Sequence, residues 1–322
     1  MSQLENLQAL PRFSDGLAYL YVEHAVIEQE ARAIAVFREE GSVLLPVANL
    51  GMLALGPGTR ITHAAIRTLA ASGVTVLWVG EEYGRFYAQG LGETRSARRL
   101  MKQARIWAHP HLHMEVVKRL YRYRFTNPLP EDLTLEQLRG YEGVRVRDTY
   151  ARFSKDTGVP WHGRSYDRGN WGAADPVNRA LSAASAFLYG VVHSAIVSAG
   201  YSPALGFIHV GRLLSFVYDI ADLYKADTTI PAAFYTVAES EHKVESRVRQ
   251  RLKEMLREQK VLQRAVTDIH KLFSGLAKEL DADEDEQEIN PVTALWDPCR
   301  EVEGGVAYGS DHPGEGEPES TG

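Results

Sequence analysis

Residues 206–225 read GFIHVGRLLSFVYDIADLYK, and this apolar segment determines both the fold class of its region and the search for a functional site. Its apolar positions recur at helical spacing and predict a buried helix over residues 211–225. Asp219 and Asp222 interrupt that pattern at positions where a core helix ordinarily carries leucine or alanine. An ionised carboxylate in apolar surroundings is costly unless a cation compensates it. The segment therefore predicts a helix whose aspartates have a cationic partner.

The spacing of these aspartates and a preceding histidine fits a metal site. Asp219 and Asp222 are about 300° apart around a helix, at about 100° per residue, so they project along neighbouring lines of one face. His209 precedes them on a loop or a first turn. Two carboxylates and an imidazole suit Mg²⁺ or Mn²⁺, and the nitrogen favours Mn²⁺ of the two. The same spacing is compatible with a core histidine and a salt-bridged aspartate pair.

A further carboxylate comes from the segment LEQLRGYEGVRVRDTYARF, where Glu142 is followed by Gly143. A glycine inside a helix costs about 1 kcal/mol relative to alanine, which makes sense where a partner approaches the backbone closely. The alternative is an ion pair between Glu142 and Arg145, one turn further along the helix. Both interpretations stay open at this point.

Formal charge divides the chain into a basic body and an acidic tail. Residues 281–322 contain thirteen acidic residues and one arginine, so a chain of net charge −6 carries +6 on residues 1–280. Residues 95–125 alone hold nine lysines and arginines against Glu115. Such a body is compatible with a polyanionic partner.

Composition also indicates the compartment. The single cysteine, Cys299, excludes an internal disulfide framework and suits a reducing cytosol. The N-terminal sequence MSQLENLQALPRF lacks the features of an export signal, so we expect a cytoplasmic protein. Residues 180–201 are uncharged and long enough to span a membrane. Because they contain His193 and several serines, we expect a buried helix in a soluble protein.

The pattern of secondary structure changes near residue 95. Before it, short β-branched and aromatic segments alternate with turns, and one helix is capped by Thr62 and ended by Gly73. The expected strands are residues 17–22, 33–37, 42–47, 74–80 and 84–90. After it the period is helical. The expected helices are residues 95–108, 111–125, 134–156, 175–199, 211–225, 230–238 and 243–279, the last either continuous or broken.

These patterns predict a multidomain α and β protein with three parts. A small, mostly β domain occupies residues 1–92, and a larger α-helical domain occupies residues 93–280. Residues 281–322 form an acidic tail whose composition is typical of disorder. An apolar island at residues 292–296 is either a stray cluster or a short segment that docks on a partner and orders on binding.

Long blocks of sequence resemble a known family. The blocks are LEQLRGYEGVRVRDTYARF, GRSYDRGNW, FLYG and GYSPALGFIHVGRLLSFVYDIADLYK, with LALGPGTRITHAAIRTLAASGVTVLWVGE before them. With these blocks the chain resembles the CRISPR adaptation integrases, which acquire spacers, and specifically their type I-E branch. The resemblance extends over residues 12–280 and leaves the tail outside it.

The resemblance implies a fold and a metal centre. It implies a small N-terminal β-sandwich-like domain, used for dimerisation and DNA contacts, followed by a larger all-α catalytic domain. The glutamate, histidine and aspartate that hold the divalent ion in the family match Glu142, His209 and Asp222, and Asp219 matches a further acidic catalytic position. By this comparison the ion, Mg²⁺ or Mn²⁺, neutralises the aspartates.

The family's reaction inserts short foreign DNA fragments (protospacers) into a CRISPR array. A 3′-hydroxyl of the fragment attacks a phosphodiester at the repeat boundary, and water in its place gives endonuclease cleavage. Bond number is conserved in the transesterification, which agrees with a sequence that lacks a phosphate-binding G-x-x-x-x-G-K-[ST] motif for ATP.

The resemblance also assigns DNA contacts. Basic positions that touch DNA phosphates in the family match Arg60, Arg67, Arg85, Arg212, Lys225 and Arg249. Aromatic positions match Tyr166, Trp171 and Tyr189. Each basic residue is equally compatible with a solvated surface charge, and Tyr189 with core packing. His24 stands where a relative has an aromatic residue that opens the duplex end.

The implied partners are double-stranded DNA, a second copy of the chain, and a dimer of a small ferredoxin-like protein; no membrane is expected. Two other functions compete with the integrase. One is a non-catalytic DNA-binding scaffold of the adaptation complex, in which the polar residues form a structural ion cluster. The other is a diphosphate-lyase-like site that binds Mg²⁺ through Asp219 and Asp222, although the basic stretch at residues 95–125 suits a longer polyanion.

Overall fold

The computed structural model describes residues 18–31, 33–91, 97–164 and 175–276. Strands occupy the N-terminal part of these ranges, with helix α1, His63–Ala71, before β7. The strands are β1 Ala18–Val22, β2 Val26–Glu30, β3 Ala33–Arg38, β4 Gly41–Pro46, β5 Leu50–Leu55, β6 Arg60–Ile61, β7 Thr75–Val79 and β8 Phe86–Gly90. The predicted strand-rich N-terminal region is confirmed.

Within the described residues these strands form two four-stranded sheets, in the orders β1-β5-β7-β8 and β4-β3-β2-β6. In the first sheet β1, β5 and β7 run parallel and β8 pairs antiparallel with β7. In the second sheet β2, β3 and β4 are antiparallel, and β6 pairs parallel with β2. Ile27, Leu53 and Leu69 belong to one buried cluster that joins both sheets to α1.

The helix α1 begins and ends where the sequence predicts. The hydroxyl of Thr62 accepts a hydrogen bond from the backbone N–H of Ala65, 3.3 Å away. Beyond the helix, Gly73 adopts φ +69°, a left-handed conformation that glycine adopts without steric cost. This helix packs between the strands and contributes Ala65 and Leu69 to the core.

From Arg98 onward the described residues form helices joined by turns and loops, which confirms the predicted helical region. They are α2 Arg98–Ala108, α3 Pro110–Arg122, α4 Leu135–Thr157, α5 Pro176–Ser198, α6 Ser215–Ala221, α7 Thr229–Glu239, α8 Val244–Glu258 and α9 Val261–Phe273. The last segment is broken, and the break lies before Lys260, whose φ is +50°. The prediction of one helix over residues 211–225 is wrong in extent, because α6 ends at Ala221 and residues 222–228 form turns.

Helix α5 lies at the centre of the helical part and is in contact with α6, α7, α8 and α9. It is the one helix in the described ranges that is long and apolar enough to cross a membrane, and 72% of its most apolar window is buried inside the protein. Burial against the other helices accounts for its composition, in line with the expectation of a core helix.

Strand β5 is buried on both faces. Leu53 and Leu55 of β5 face the cluster shared by the two sheets, whereas Met52 and Ala54 face the helices. The strand-rich and helical parts therefore share a core across β5. The predicted domain boundaries at residues 92–93 and 280–281, and the whole expected tail, lie outside the described residues and stay predictions.

Candidate active site

A cavity of about 680 Å³ opens among the helices around α5. Helices α4, α5 and α7 line it together with the chain between α5 and α7. The lining side chains are Tyr150, Arg164, Leu181, Ser182, Ser185, Ala186, Tyr189, His209, Tyr218, Asp222, Lys225, Thr229 and Ile230. The structure thus brings His209 and Asp222, two of the predicted metal ligands, to one cavity wall.

Asp219 does not face this cavity with them. Its carboxylate is fully buried in α6 and accepts hydrogen bonds from the backbone N–H groups of Phe207, Ile208 and His209, at 2.6, 3.1 and 2.9 Å. These donors compensate the charge, so a dication is not required to neutralise Asp219. The two aspartates have different protein partners, because Asp219 turns to the preceding loop and Asp222 follows the end of the helix. An ion shared by both stays a prediction.

The same carboxylate orients the His209 ring. Nδ1 of His209 lies 2.7 Å from Oδ1 of Asp219. Because an ionised carboxylate only accepts, Nδ1 carries the proton of that bond, and in the neutral imidazole Nε2 then keeps its lone pair. The hydrogen bond to Asp219 raises the pKa of His209, although partial burial opposes it. Metal-binding histidines characteristically donate their second ring nitrogen to a carboxylate in this way.

Arg124 joins the two other predicted ligands. Its Nη1 donates to Oε1 of Glu142 at 2.9 Å, and its Nη2 lies 3.4 Å from Oδ2 of Asp222. The guanidinium is 5% exposed, so these contacts form away from bulk water. Glu142 on α4 and Asp222 in the turn after α6 thus both contact Arg124, which lies just after α3.

Both carboxylates have a second cationic partner. Arg145 donates to Glu142 through Nε at 2.8 Å and through Nη2 at 3.0 Å, which is the ion pair that the helical spacing predicted. Lys225 donates to Oδ1 of Asp222 at 2.6 Å. Burial lowers the pKa of Lys225, but the Asp222 carboxylate outweighs burial and the pKa lies above its ordinary value.

Aromatic rings surround Lys225 and His209. The Lys225 ammonium lies 5.0 Å from the centre of the Tyr189 ring, within range of a cation–π contact. Tyr218 meets the rings of Tyr189 and His209 edge-on, at 5.0 and 5.8 Å between centres. Tyr189 is partly buried, packs against the helical core and also lines the cavity.

The chemistry of the donors fits a hard dication. Two carboxylates and the Nε2 nitrogen of a carboxylate-oriented histidine are suitable ligands for Mg²⁺ or Mn²⁺. As the side chains stand, no three histidine, cysteine or acidic groups among the described residues lie close enough together to hold an ion. The side chains that contact Glu142 and Asp222 are instead the cations Arg124, Arg145 and Lys225.

Two of the predicted DNA contacts lie together elsewhere. Arg85, before β8, and Arg249, on α8, line a second depression of about 370 Å³ with Lys253. Lys253 lies 3.2 Å from Oε1 of Glu81, so this depression spans the strand-rich and helical parts. A surface shared by both parts is consistent with a common ligand.

The remaining predicted contacts are dispersed. Arg60, Arg67 and Arg212 are exposed on β6, on α1 and before α6, and His24 is exposed at the turn after β1. Tyr166 and Trp171 lie outside the described residues.

Sequence reasoning missed Arg124 and Arg164. Arg164 lines the cavity and donates to Oδ1 of Asn178 and Oγ of Ser182, both at 2.9 Å. Arg124 belongs to the basic stretch at residues 95–125, and that concentration of positive charge was the available signal. Nothing local to Arg124 indicates its pairing with carboxylates far along the chain.

The chain is similar in sequence to known proteins over both its strand-rich and its helical parts. Residues 18–129 and 125–271 match the family described as CRISPR associated protein Cas1. The CRISPR-associated endonuclease Cas1 2 of Thermus thermophilus is 64% identical over 322 residues, which cover 100% of this chain and 99% of the relative. The CRISPR-associated endonuclease Cas1 of a Clostridium species is 41% identical over 310 residues, which cover 96% of this chain and 100% of the relative.

A solved structure is also similar. A crystal structure of a TtCas1–DNA complex has 67% sequence identity and a TM-score of 0.79, and the match covers 83% of this chain and 100% of that chain. The architecture of strands followed by helices is thus shared with a protein that was crystallised with DNA.

Proposed function

This chain belongs to the CRISPR-associated Cas1 family, and from that membership we propose that it is a DNA integrase and endonuclease of CRISPR adaptation. The blocks of sequence around Glu142 and Asp222 support its placement in the type I-E branch. One observation carries the catalytic proposal: Glu142 and Asp222 meet on Arg124, beside a cavity where Asp219 orients His209.

Glu142, His209 and Asp222 would hold the divalent ion. Bound there, Mg²⁺ or Mn²⁺ supplies Lewis-acid polarisation of a phosphoryl oxygen and stabilises charge on the leaving oxygen. Asp219 would act through His209, since its Nδ1 contact fixes the ring and presents Nε2. Asp219 is thus proposed as a positioning residue.

In the proposed reaction the 3′-oxygen of a DNA fragment forms a bond to phosphorus at the repeat boundary, and the bond from that phosphorus to the 3′-oxygen of the flanking nucleotide breaks. The proton leaves the attacking hydroxyl and the departing oxygen gains one, so atoms and charge balance. Lys225 and Arg164 line the cavity and provide positive charge for the phosphate. Water in place of the hydroxyl gives cleavage.

The proposed partners follow from the reaction. Insertion joins each of the two ends of a fragment to the array, so two active sites at a fixed separation are needed. This requirement favours a homodimer of the chain, with a dimer of a small ferredoxin-like protein between two such homodimers. Double-stranded DNA, as protospacer fragment and CRISPR repeat, is the proposed substrate. The TtCas1–DNA complex supports DNA as ligand, and we propose a cytoplasmic location.

A scaffold without catalysis is the second candidate. It is favoured by the ion pairs themselves, since Glu142 and Asp222 are fully compensated by cations without any metal. In that case the cluster stabilises the fold and the chain contributes DNA binding only.

A strand-transfer assay separates the two candidates. The full chain, its small partner, a fragment and a repeat-bearing duplex are incubated with Mn²⁺ or Mg²⁺, and joined product is measured. We expect Asp222→Asn and Glu142→Gln each to lower joining by about a hundredfold or more. A fragment with a 3′-deoxy end is the substrate control, and Arg147→Gln, an exposed substitution on α4, is the protein control. Equal joining by the Asp222 variant, or none by the parent, supports the scaffold.

A further inference from the structure

The charges around the proposed ion site balance before any ion binds. Glu142, Asp222 and the buried Asp219 contribute three negative charges, and Arg124, Arg145 and Lys225 contribute three positive charges. Oε1 and Oε2 of Glu142 contact arginine nitrogens, and Oδ1 and Oδ2 of Asp222 contact Lys225 and Arg124. A dication added to these six side chains would therefore leave an excess of two positive charges, and Arg164, which lines the same cavity, adds another.

Arg124 is the cation with the greatest influence on this balance. It alone among the three contacts both carboxylates, and at 5% exposure it is the most buried of them, compared with 22% for Arg145 and 29% for Lys225. Charges away from water interact more strongly, because the local dielectric is lower and salt screens them less. A cation between two ligands draws them together and also repels a dication that approaches them.

We propose that Arg124 is a positioning residue that makes dication binding depend on DNA: the ion binds weakly to the chain alone and tightly once a phosphate offsets the excess charge. This inference rests on the proposed function, since it takes Glu142, His209 and Asp222 as the ligands. The coupling is reciprocal, so the ion strengthens DNA binding by the same factor. Loading of the site is thereby confined to complexes that contain substrate.

The test is a Mn²⁺ titration of the full chain in which free Mn²⁺ is read from its electron paramagnetic resonance signal, with and without a short duplex. Duplex without protein is the blank. For the parent we expect affinity for Mn²⁺ to rise by about tenfold or more with duplex. Arg124→Gln should raise the affinity without duplex by about tenfold or more, because one unit of positive charge is removed, and should reduce the effect of duplex.

Two matched variants distinguish charge from structure. Arg124→Lys keeps the charge but not the two-nitrogen contact, so its affinity for Mn²⁺ without duplex should stay below that of Arg124→Gln. Arg147→Gln removes an arginine that is 74% exposed and should change nothing. If Arg124→Gln does not fold, Lys225→Gln removes a cation from Asp222 and should shift affinity in the same direction.

The outcomes also separate this inference from the proposed site. Unchanged or weaker Mn²⁺ binding by Arg124→Gln, or parent affinity that is indifferent to duplex, overturns the role of Arg124. If Glu142→Gln and Asp222→Asn bind Mn²⁺ as tightly as the parent, the ligand assignment itself fails, and this inference fails with it. Loss of binding in those two variants with a gain in Arg124→Gln supports both.

Discussion

Nδ1 of His209 and Oδ1 of Asp219 lie 2.7 Å apart, and the same carboxylate accepts from three backbone N–H groups of the loop that carries the histidine. One buried aspartate thus fixes both the backbone and the ring at the cavity wall. Asp222, three residues later, faces cations instead. The two aspartates have different tasks despite their spacing of one turn.

This difference predicts unequal losses of stability for two alanine variants. Asp219→Ala leaves buried N–H groups of residues 207–209 without an acceptor, and we expect a loss of about 3 kcal/mol or more in the free energy of unfolding. Asp222→Ala removes a carboxylate that is 20% exposed, from cations that keep other contacts, and should cost about 1 kcal/mol. Urea denaturation measures both. Equal losses would show that Asp219 does not organise the loop.

The sequence predicts that the charges of Asp219 and Asp222 are compensated, but it does not identify the protein groups that compensate them. The helical period of residues 211–225 places both carboxylates on one face only if the helix continues, and it ends at Ala221. The donors to Asp219 are backbone groups, which have no signature in side-chain patterns. Arg124 reaches Asp222 across 98 residues, and only packing of α3 against the helical core determines that contact.

The sequence prediction missed strands β2 and β5 for a different reason. In β5, LGMLAL, every residue is buried, because the sheet is covered on both faces at this strand, so the alternation that marks a half-buried strand is absent. In β2, VIEQE, all positions except Ile27 are exposed, and its acidic residues are uncommon in strands, so the segment lacks a strand pattern. Segments with one buried face and a local cap, such as α1 after Thr62, were predictable.

The depression that contains Arg85 and Arg249 predicts a salt-dependent contribution to DNA binding. If both contact phosphates, Arg85→Ala and Arg249→Ala should each reduce the slope of log affinity against log salt concentration by about 1. Binding to a short duplex, measured by fluorescence anisotropy over a salt series, gives that slope. Arg147→Ala removes an exposed arginine of α4 as the control. Slopes identical to the parent's would place the DNA elsewhere.

Helix α5 approaches the strand-rich part closely at Gly190. A methyl group there would overlap the carbonyl oxygen of Tyr83, which is backbone and cannot rotate away. We expect Gly190→Ala to lower the free energy of unfolding by about 3 kcal/mol, since overpacking forces the two parts to separate. Thermal and urea unfolding measure the loss.

Gly140 on α4 is the matched control for that substitution. A methyl group there would meet nothing within 4 Å. Gly140→Ala should therefore raise the free energy of unfolding by about 1 kcal/mol through helix propensity. A similar response of the two variants would contradict close packing at Gly190.

His193 gives the protein a pH-dependent stability. Burial in α5, where its ring stacks on Phe86 at 3.8 Å, lowers the pKa of His193 from 6.5 to about 4. The unfolded chain then binds a proton more readily than the folded one. The free energy of unfolding is therefore not reduced by His193 above pH 6.5, and it declines as pH falls toward 4.

His193→Phe keeps a stacked ring without the proton site, so its unfolding free energy should decrease less than the parent's between pH 7 and pH 5 in urea titrations. His242→Gln, which removes an exposed histidine, should follow the parent. Parallel curves for His193→Phe and the parent would assign the acid sensitivity to other groups.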